Sequence, residues 1–290
     1  MNKKQAAAGH RQNKIALLLD REAEKSAFDI SLCLYDFATG VWIERNARKQ
    51  IYPASLIKIL YLLTALYLVE RGVLSLSDGY TLTEKDKYAG KTRVAGTGIL
   101  QSSAAGNRYT VEELLSLMIS HSDNVAANII LELAGPKEVQ AMAARLGLTE
   151  TRGTRKMFDL ESSLPPNAST ARELTEMLVA LENGRLFSKT MKDLALALLG
   201  TTENKDRIGR YLRKSGVLVA NKTGTVPRIV GDMALLYFPD RPPAALTIMV
   251  ELPPSRFALA NKFQRLAAAK TIGRLAFTAV NELRKTSVPQ

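Results

Sequence analysis

Apolar positions recur at helical spacing from about residue 11 to 26, then change to the alternating pattern of strands in Asp29–Asp36 (DISLCLYD) and Val41–Arg45 (VWIER). Ala38-Thr39-Gly40 between the two runs predicts a hairpin turn. The middle of the chain reads as almost wholly helical. Ser55 to Arg71 is apolar-rich and stops at Gly72, which suits a helix C-terminus. Thr110 with Glu113 forms a capping box ahead of Leu114, Leu115 and Met118. Ser122 to Ala134 ends at Gly135-Pro136, and Lys137 to Leu146 ends at Gly147. Thr170 with Glu173 is a second capping box, opening a helix that runs to Asn183-Gly184. After about residue 213 the strand pattern returns in Val217–Ala220, Met233–Phe238 and Leu246–Leu252, and a long amphipathic helix from about Phe257 to Arg284 follows.

Strands at both ends with helices between them predict an α/β fold. One antiparallel sheet is built from both chain termini, residues 1–50 and 213–290, and is flanked by the terminal helices. Residues 51–212 form an inserted all-α domain, and a cleft between the two parts is the expected place for a site.

Composition narrows the function classes. The chain has 290 residues, 46% of them hydrophobic, which is ordinary for a globular protein with a substantial core. No apolar run approaches the roughly 20 residues of a membrane-spanning helix, so no integral membrane segment is expected. The N-terminal apolar run, Ile15 to Leu19, is shorter than the 7–15 residues of a secretory core segment. Two localisations stay open: periplasmic or secreted if a leader has been trimmed, otherwise cytoplasmic. The formal net charge of +12 is scattered along the chain without basic runs or interleaved aromatics, which points to attraction toward anionic surroundings and not to a nucleic-acid site. Cys33 is the only cysteine and reads as a packed, inert thiol. With His10 and His121 as the only histidines, a multi-histidine metal site is excluded, and a hydrolase on this chain needs another base unless it uses His121.

Three short elements carry candidate chemistry. Ser55-Leu56-Ile57-Lys58 is an S-x-x-K at a helix start, and its spacing places both polar side chains on one helix face. A serine hydroxyl is a weak nucleophile until a neighbour takes its proton, and Lys58 is the candidate acceptor. Alone, the pattern is weak, since roughly one is expected by chance in a chain of this size. Ser122-Asp123-Asn124 offers a second hydroxyl and an amide, or equally an ordinary helix cap. Lys222-Thr223-Gly224, on a strand-like segment, offers an ammonium for a carboxylate and a glycine that lets substrate lie along the strand edge. Thr225 follows with a backbone N–H for an oxyanion hole.

Each element once, in this order, resembles the serine β-lactamases, specifically the class A group and its penicillin-binding relatives, which carry S-x-x-K, S-D-N and K-T-G. The stretches YDFATG, TGIL at Thr97–Leu100, YTVEELLSLMISHSDNVAANIIL and GDMALLYF agree with it. The resemblance implies that Ser55 attacks an amide carbonyl, Lys58 acts as base and Ser122 passes the proton to the leaving nitrogen. It further implies that Asn124 binds the substrate side chain and that Lys222, Thr223 and Thr225 engage its carboxylate end, with Arg228 assisting from just beyond the motif. The implied partner is a small-molecule β-lactam or a peptidoglycan-like peptide, and the chemistry needs no cofactor or metal. The oligomeric state is not legible.

The chain departs from this pattern at the glutamate that activates the deacylating water, roughly 35 residues after S-D-N. Matching Arg155 and Leu160 puts Met157 at that place, with Asp159 and Glu161 as the nearest carboxylates. Three outcomes follow: a β-lactamase, possessing a substitute base or deacylating slowly; a D-alanyl-D-alanine peptidase or related peptide or ester hydrolase; or a penicillin-binding or sensing module without turnover.

Overall fold

A computed structural model of the protein describes residues 3–184, 186–254 and 258–285. The chain opens on α1 (Lys3–Glu24) and the hairpin β1 (Asp29–Asp36) and β2 (Val41–Arg45). Then come α2 (Lys58–Glu70), four short strands β3 (Gly79–Thr81), β4 (Tyr88–Ala89), β5 (Thr92–Arg93) and β6 (Arg108–Thr110), and α3 (Val111–Ser120). Helices α4 (Asn124–Ala134), α5 (Pro136–Arg145), α6 (Ala171–Glu182) and α7 (Lys189–Gly200) follow. Strands β7 (Leu218–Val226), β8 (Ile229–Tyr237) and β9 (Ala244–Glu251) precede α8 (Ala258–Arg284), whose expected first residue Phe257 lies outside the described residues.

The chain forms two compact units, residues 1–49, 170–179 and 204–290 in one, 50–169 and 180–203 in the other. The first is the sheet unit, with strand order β2-β1-β9-β8-β7 and every neighbouring pair antiparallel. Ile15 and Leu19 of α1 and Ile272, Leu275 and Ala279 of α8 pack on one sheet face against Leu32, Leu34, Val230, Leu246 and Ile248. Truncating such a core residue to alanine costs about 2–5 kcal/mol. On the other face Thr175 Oγ1 lies within hydrogen-bond distance of Thr247 Oγ1, at 2.8 Å, and of the Cys33 carbonyl, at 3.3 Å. These bonds tie residues 170–179 to the sheet, a segment that the sequence reading placed inside the 51–212 insertion.

β8 and β9 are buried on both faces, so their sequences run apolar instead of alternating. β7 continues six residues past the expected end at Ala220, to Val226. The apolar pattern stops there because Asn221, Lys222 and Thr223 are polar, yet all three are buried and stay paired to β8.

The second unit is built around α2. Its residues from Lys58 to Leu66 are all buried, so this helix is apolar on every side. Gly72 ends it in the left-handed region at φ +68°. The capping box forms as read: Glu113 N donates to Thr110 Oγ1 at 3.2 Å and Thr110 N to Glu113 Oε2 at 2.7 Å. The unit is not purely helical, because β3 pairs with β6 and β4 with β5. These strands are two or three residues long, too short to show a period. Helix α7, capped by Ser188, was also unforeseen.

Candidate active site

Ser55 lies in a 3-10 turn, Ala54–Ile57, that runs directly into α2. Ala54 takes φ +50°, a left-handed conformation that costs a residue with a Cβ about 1–2 kcal/mol. The turn buries Leu56 and Ile57 and leaves Ser55 half-buried.

Lys58, the first residue of α2, is wholly enclosed. Its Nζ donates to the Ser122 carbonyl at 2.6 Å, to Asn124 Oδ1 at 2.8 Å and to the Asp123 carbonyl at 3.3 Å; Ser122 Oγ is also at 3.3 Å. The S-x-x-K and S-D-N elements therefore meet at one nitrogen. An ammonium has three N–H donors for these acceptors. A neutral amine keeps two, enough for the two shortest bonds, and its lone pair can then take a proton from a hydroxyl.

Two backbone features hold S-D-N in place. Ser122 has φ +56°, which turns its carbonyl toward Lys58 Nζ and toward Thr97 Oγ1, a donor at 3.1 Å. The buried Asp123 caps α4, accepting from Val125 N and Ala126 N through Oδ1 at 2.8 and 2.9 Å. Its Oδ2 accepts from Ile99 N and Leu100 N at 2.7 and 2.8 Å, so one carboxylate satisfies four amides. Gly98 is required opposite it, since a Cβ there would fall 2.4 Å from Asp123 Cγ. The helix cap is thus Asp123 and not Ser122, which leaves the Ser122 hydroxyl to Lys58. Asn124 also binds within the protein: Nδ2 donates to the Ala95 carbonyl at 2.7 Å while Oδ1 accepts from Lys58.

One turn further along α4, the buried Asn128 grips the loop that carries Met157. Asn128 Oδ1 accepts from Met157 N at 2.7 Å and Nδ2 donates to Met157 O at 3.1 Å. The Met157 side chain is buried, and Phe158 beside it adopts φ +66°. Asn167 pairs with the Arg155 backbone in the same two-point manner, at 3.0 and 2.8 Å. Asp159 and Glu161 gather at the Gly90 turn between β4 and β5. A Cβ on Gly90 would lie 3.3 Å from Asp159 Oδ1 and 3.9 Å from Glu161 Oε2.

In the sheet unit, K-T-G lies on the edge strand β7. Lys222 is wholly buried and donates to the Thr223 carbonyl at 2.9 Å. Burial first, and the Arg207 guanidinium second, push its pKa down to about 7, against the pull of Asp232. Arg207 donates to the Gly224 carbonyl at 2.7 Å, to the Gly231 carbonyl and to Thr225 Oγ1, so it clamps β7 to β8 at the motif. Asp232 accepts from Asn221 Nδ2 and Ile208 N, both at 3.0 Å, and burial raises its carboxyl to about 6 despite Arg207. Lys205 completes the group, bonded to Asn221 Oδ1 at 2.8 Å. Arg228, expected to assist, lies exposed in the β7–β8 turn with its Nε on the Leu252 carbonyl at 3.4 Å.

Three contributors belong to none of the motifs read from the sequence: Asn128, Arg207 and Asp232. A polar residue inside an otherwise apolar helix or strand was the available signal for Asn128 and Asp232. Arg207 had none, because its partners are 17 to 24 residues away.

Comparison with known proteins adds four likenesses. The family model described as the beta-lactamase enzyme family matches residues 11–283. The carbapenem-hydrolyzing beta-lactamase KPC of Klebsiella oxytoca is 32% identical over 151 residues, half of this chain and 51% of that protein. The chain thus spans about half the length of that curated relative. The crystal structure of a beta-lactamase from Sphaerobacter thermophilus superposes with a TM-score of 0.82 at 25% identity, covering 95% of this chain and 98% of that one. A mutant of PBP-A, solved as an acyl-enzyme complex with penicillin G, shares the fold with a TM-score of 0.80 at 21% identity, covering 96% and 97%.

Proposed function

Because the chain belongs to the beta-lactamase enzyme family, we propose that it is a serine hydrolase that opens the amide of β-lactams through an ester on Ser55. Ser55 Oγ attacks the lactam carbonyl carbon while its proton passes to the lone pair of a neutral Lys58. The C–N bond then breaks, the ring nitrogen takes a proton from Ser122 Oγ, and Lys58 restores that proton to Ser122. No external acid or cofactor is needed. Lys222 attracts the carboxylate that flanks the lactam ring, and Thr223 and Thr225 bind the same end. Gly224 keeps the strand edge open to the substrate, while Arg207 holds that strand in register. Asn124 holds Lys58, and its amide nitrogen serves the substrate side chain.

The observation that carries this reading is the enclosure of Lys58 Nζ, 2.6 Å from the Ser122 carbonyl and 3.3 Å from Ser122 Oγ. A lysine that served only to solvate a helix end would project into water. Met157 favours slow hydrolysis of the ester, because a thioether cannot take a proton from water. Asp159 and Glu161 remain the carboxylates able to substitute. Nitrocefin turnover followed together with intact-protein mass tests the reading: a burst of one product per enzyme, with an adduct that decays slowly, is expected. Release of D-alanine from peptides without antibiotic turnover would support the peptidase reading instead.

A further inference from the structure

The chain's excess positive charge lies entirely in one unit. Residues 1–49, 170–179 and 204–290 carry 25 Lys and Arg against 13 Asp and Glu, whereas residues 50–169 and 180–203 carry 15 of each. Within the charged unit α8 holds Lys262, Arg265, Lys270, Arg274 and Arg284 against one acid, Glu282. That acid is buried and already engaged by Lys14 at 3.4 Å and Lys285 at 2.5 Å.

Helical spacing places Phe263, Leu266, Lys270, Arg274 and Phe277 on one stripe about 21 Å long. Phe263 is 68% exposed, Leu266 46% and Phe277 42%. The opposite face of α8, with Ile272, Leu275 and Ala279, is buried in the core, so the apolar stripe is an addition to what packing requires. Arg274 is shared with Glu22 at 2.8 Å, and no acidic residue of α8 lies on the stripe. Tyr211 stands beside it, 42% exposed, with its ring 3.0 Å from where a Cβ on Gly273 would be.

We propose that this face of α8 docks on an anionic lipid bilayer. Phe263, Leu266 and Phe277 would sit at the boundary of headgroups and acyl chains, with Lys262 and Lys270 against anionic headgroups. A soluble polyanion would use the cations and leave three large apolar side chains in water; a neutral apolar partner would leave the cations unused. Only an anionic bilayer matches both halves of the stripe. The contact is interfacial, because no described helix is long and apolar enough to cross a membrane. Tyr211 fits such a boundary, having an apolar ring and a polar tip.

The test is co-sedimentation of the full chain with phosphatidylcholine vesicles, with and without phosphatidylglycerol, at low and high ionic strength. Binding is expected only to the anionic vesicles, and weaker at high salt. Phe263→Ser with Leu266→Ser should weaken it more than tenfold, and Lys270→Glu at least roughly fivefold. Thermal midpoint and nitrocefin turnover should stay unchanged in both variants. Equal binding to neutral vesicles would overturn the proposal. So would vesicle binding that survives the apolar substitutions but is abolished by heparin, which would mark a polyanion surface. Self-association lost in the same variants, without vesicle binding, would make the face an interface between copies of the chain.

Discussion

Asn128 holds Met157 by both backbone groups, accepting its N–H at 2.7 Å and donating to its carbonyl at 3.1 Å. The loop position is therefore set by α4 and not by the Met157 side chain. A different side chain at 157 should keep the same backbone place. Met157→Glu is expected to shorten the lifetime of the penicillin ester by about a hundredfold or more, the contribution of a positioned general base. Stopped-flow single turnover reads this directly, and an unchanged lifetime in a folded variant would contradict it.

Asn128→Ala removes both bonds and leaves two buried backbone groups unsatisfied. At about 1–3 kcal/mol each, the expected loss is about 2–6 kcal/mol, measurable by urea denaturation. Asp159→Ala and Glu161→Ala, by contrast, remove carboxylates that face the Gly90 turn. Neither is expected to lengthen the ester's lifetime appreciably, and a hundredfold lengthening in either would identify a substitute base.

Lys58→Ala should slow acylation by about two to four orders of magnitude. It should also destabilise, because the Ser122 and Asp123 carbonyls and Asn124 Oδ1 lose their shared donor. Differential scanning calorimetry beside acylation kinetics separates the two effects. Because Nζ is enclosed, Lys58 belongs to the fold as well as to the chemistry.

How much could be read from the residues follows from how far apart the partners lie. The strands β1 and β2, the Thr110 capping box and the stop at Gly72 depend on neighbours within a few positions, and periodicity exposes them. S-x-x-K and S-D-N were recognisable as patterns, but their meeting at Lys58 Nζ closes a gap of 64 residues that no local signal reports. The far half of β7, strand-like at K-T-G, lacks the apolar pattern of a buried strand for a different reason. Its buried residues are Asn221, Lys222 and Thr223, polar groups satisfied by Lys205, Asp232 and the strand itself. Arg207 clamps that motif from the cap of a separate 3-10 turn, Ile208–Tyr211, 17 to 24 residues from its partners, which no local pattern reports.

Lys222 gives a pH dependence. Its ammonium is charged below about 7 and lost above it, so attraction for a substrate carboxylate should fade as pH rises through 7. The kcat/KM of an anionic β-lactam should fall by up to about tenfold per pH unit there, while that of its methyl ester should not show this limb. Stability carries the opposite sign: the unfolded chain keeps the Lys222 proton up to its ordinary 10.5, so this group adds stability as pH rises from about 7 toward 10.5. Asp232, raised from 3.8 to about 6, loses its stabilising contribution as pH rises across that interval.

Arg207→Ala should raise KM more than it lowers kcat, since it frees the Gly224 and Gly231 carbonyls and Thr225 Oγ1 without touching the Lys58 cage. Arg228→Ala should leave both within about twofold, as expected for an exposed side chain outside the clamp. Equal effects of the two substitutions would contradict the assignment of the clamp to Arg207.

The central claim is that one serine, Ser55, carries the acyl group. Incubation with benzylpenicillin, rapid quenching and peptide mass mapping test it most directly. The expected result is a single adduct with the mass of one intact penicillin on the peptide containing Ser55, absent from Ser55→Ala and slow to decay in the wild type. Undiminished labelling of Ser55→Ala, or an adduct mapped to another residue, would contradict the mechanism.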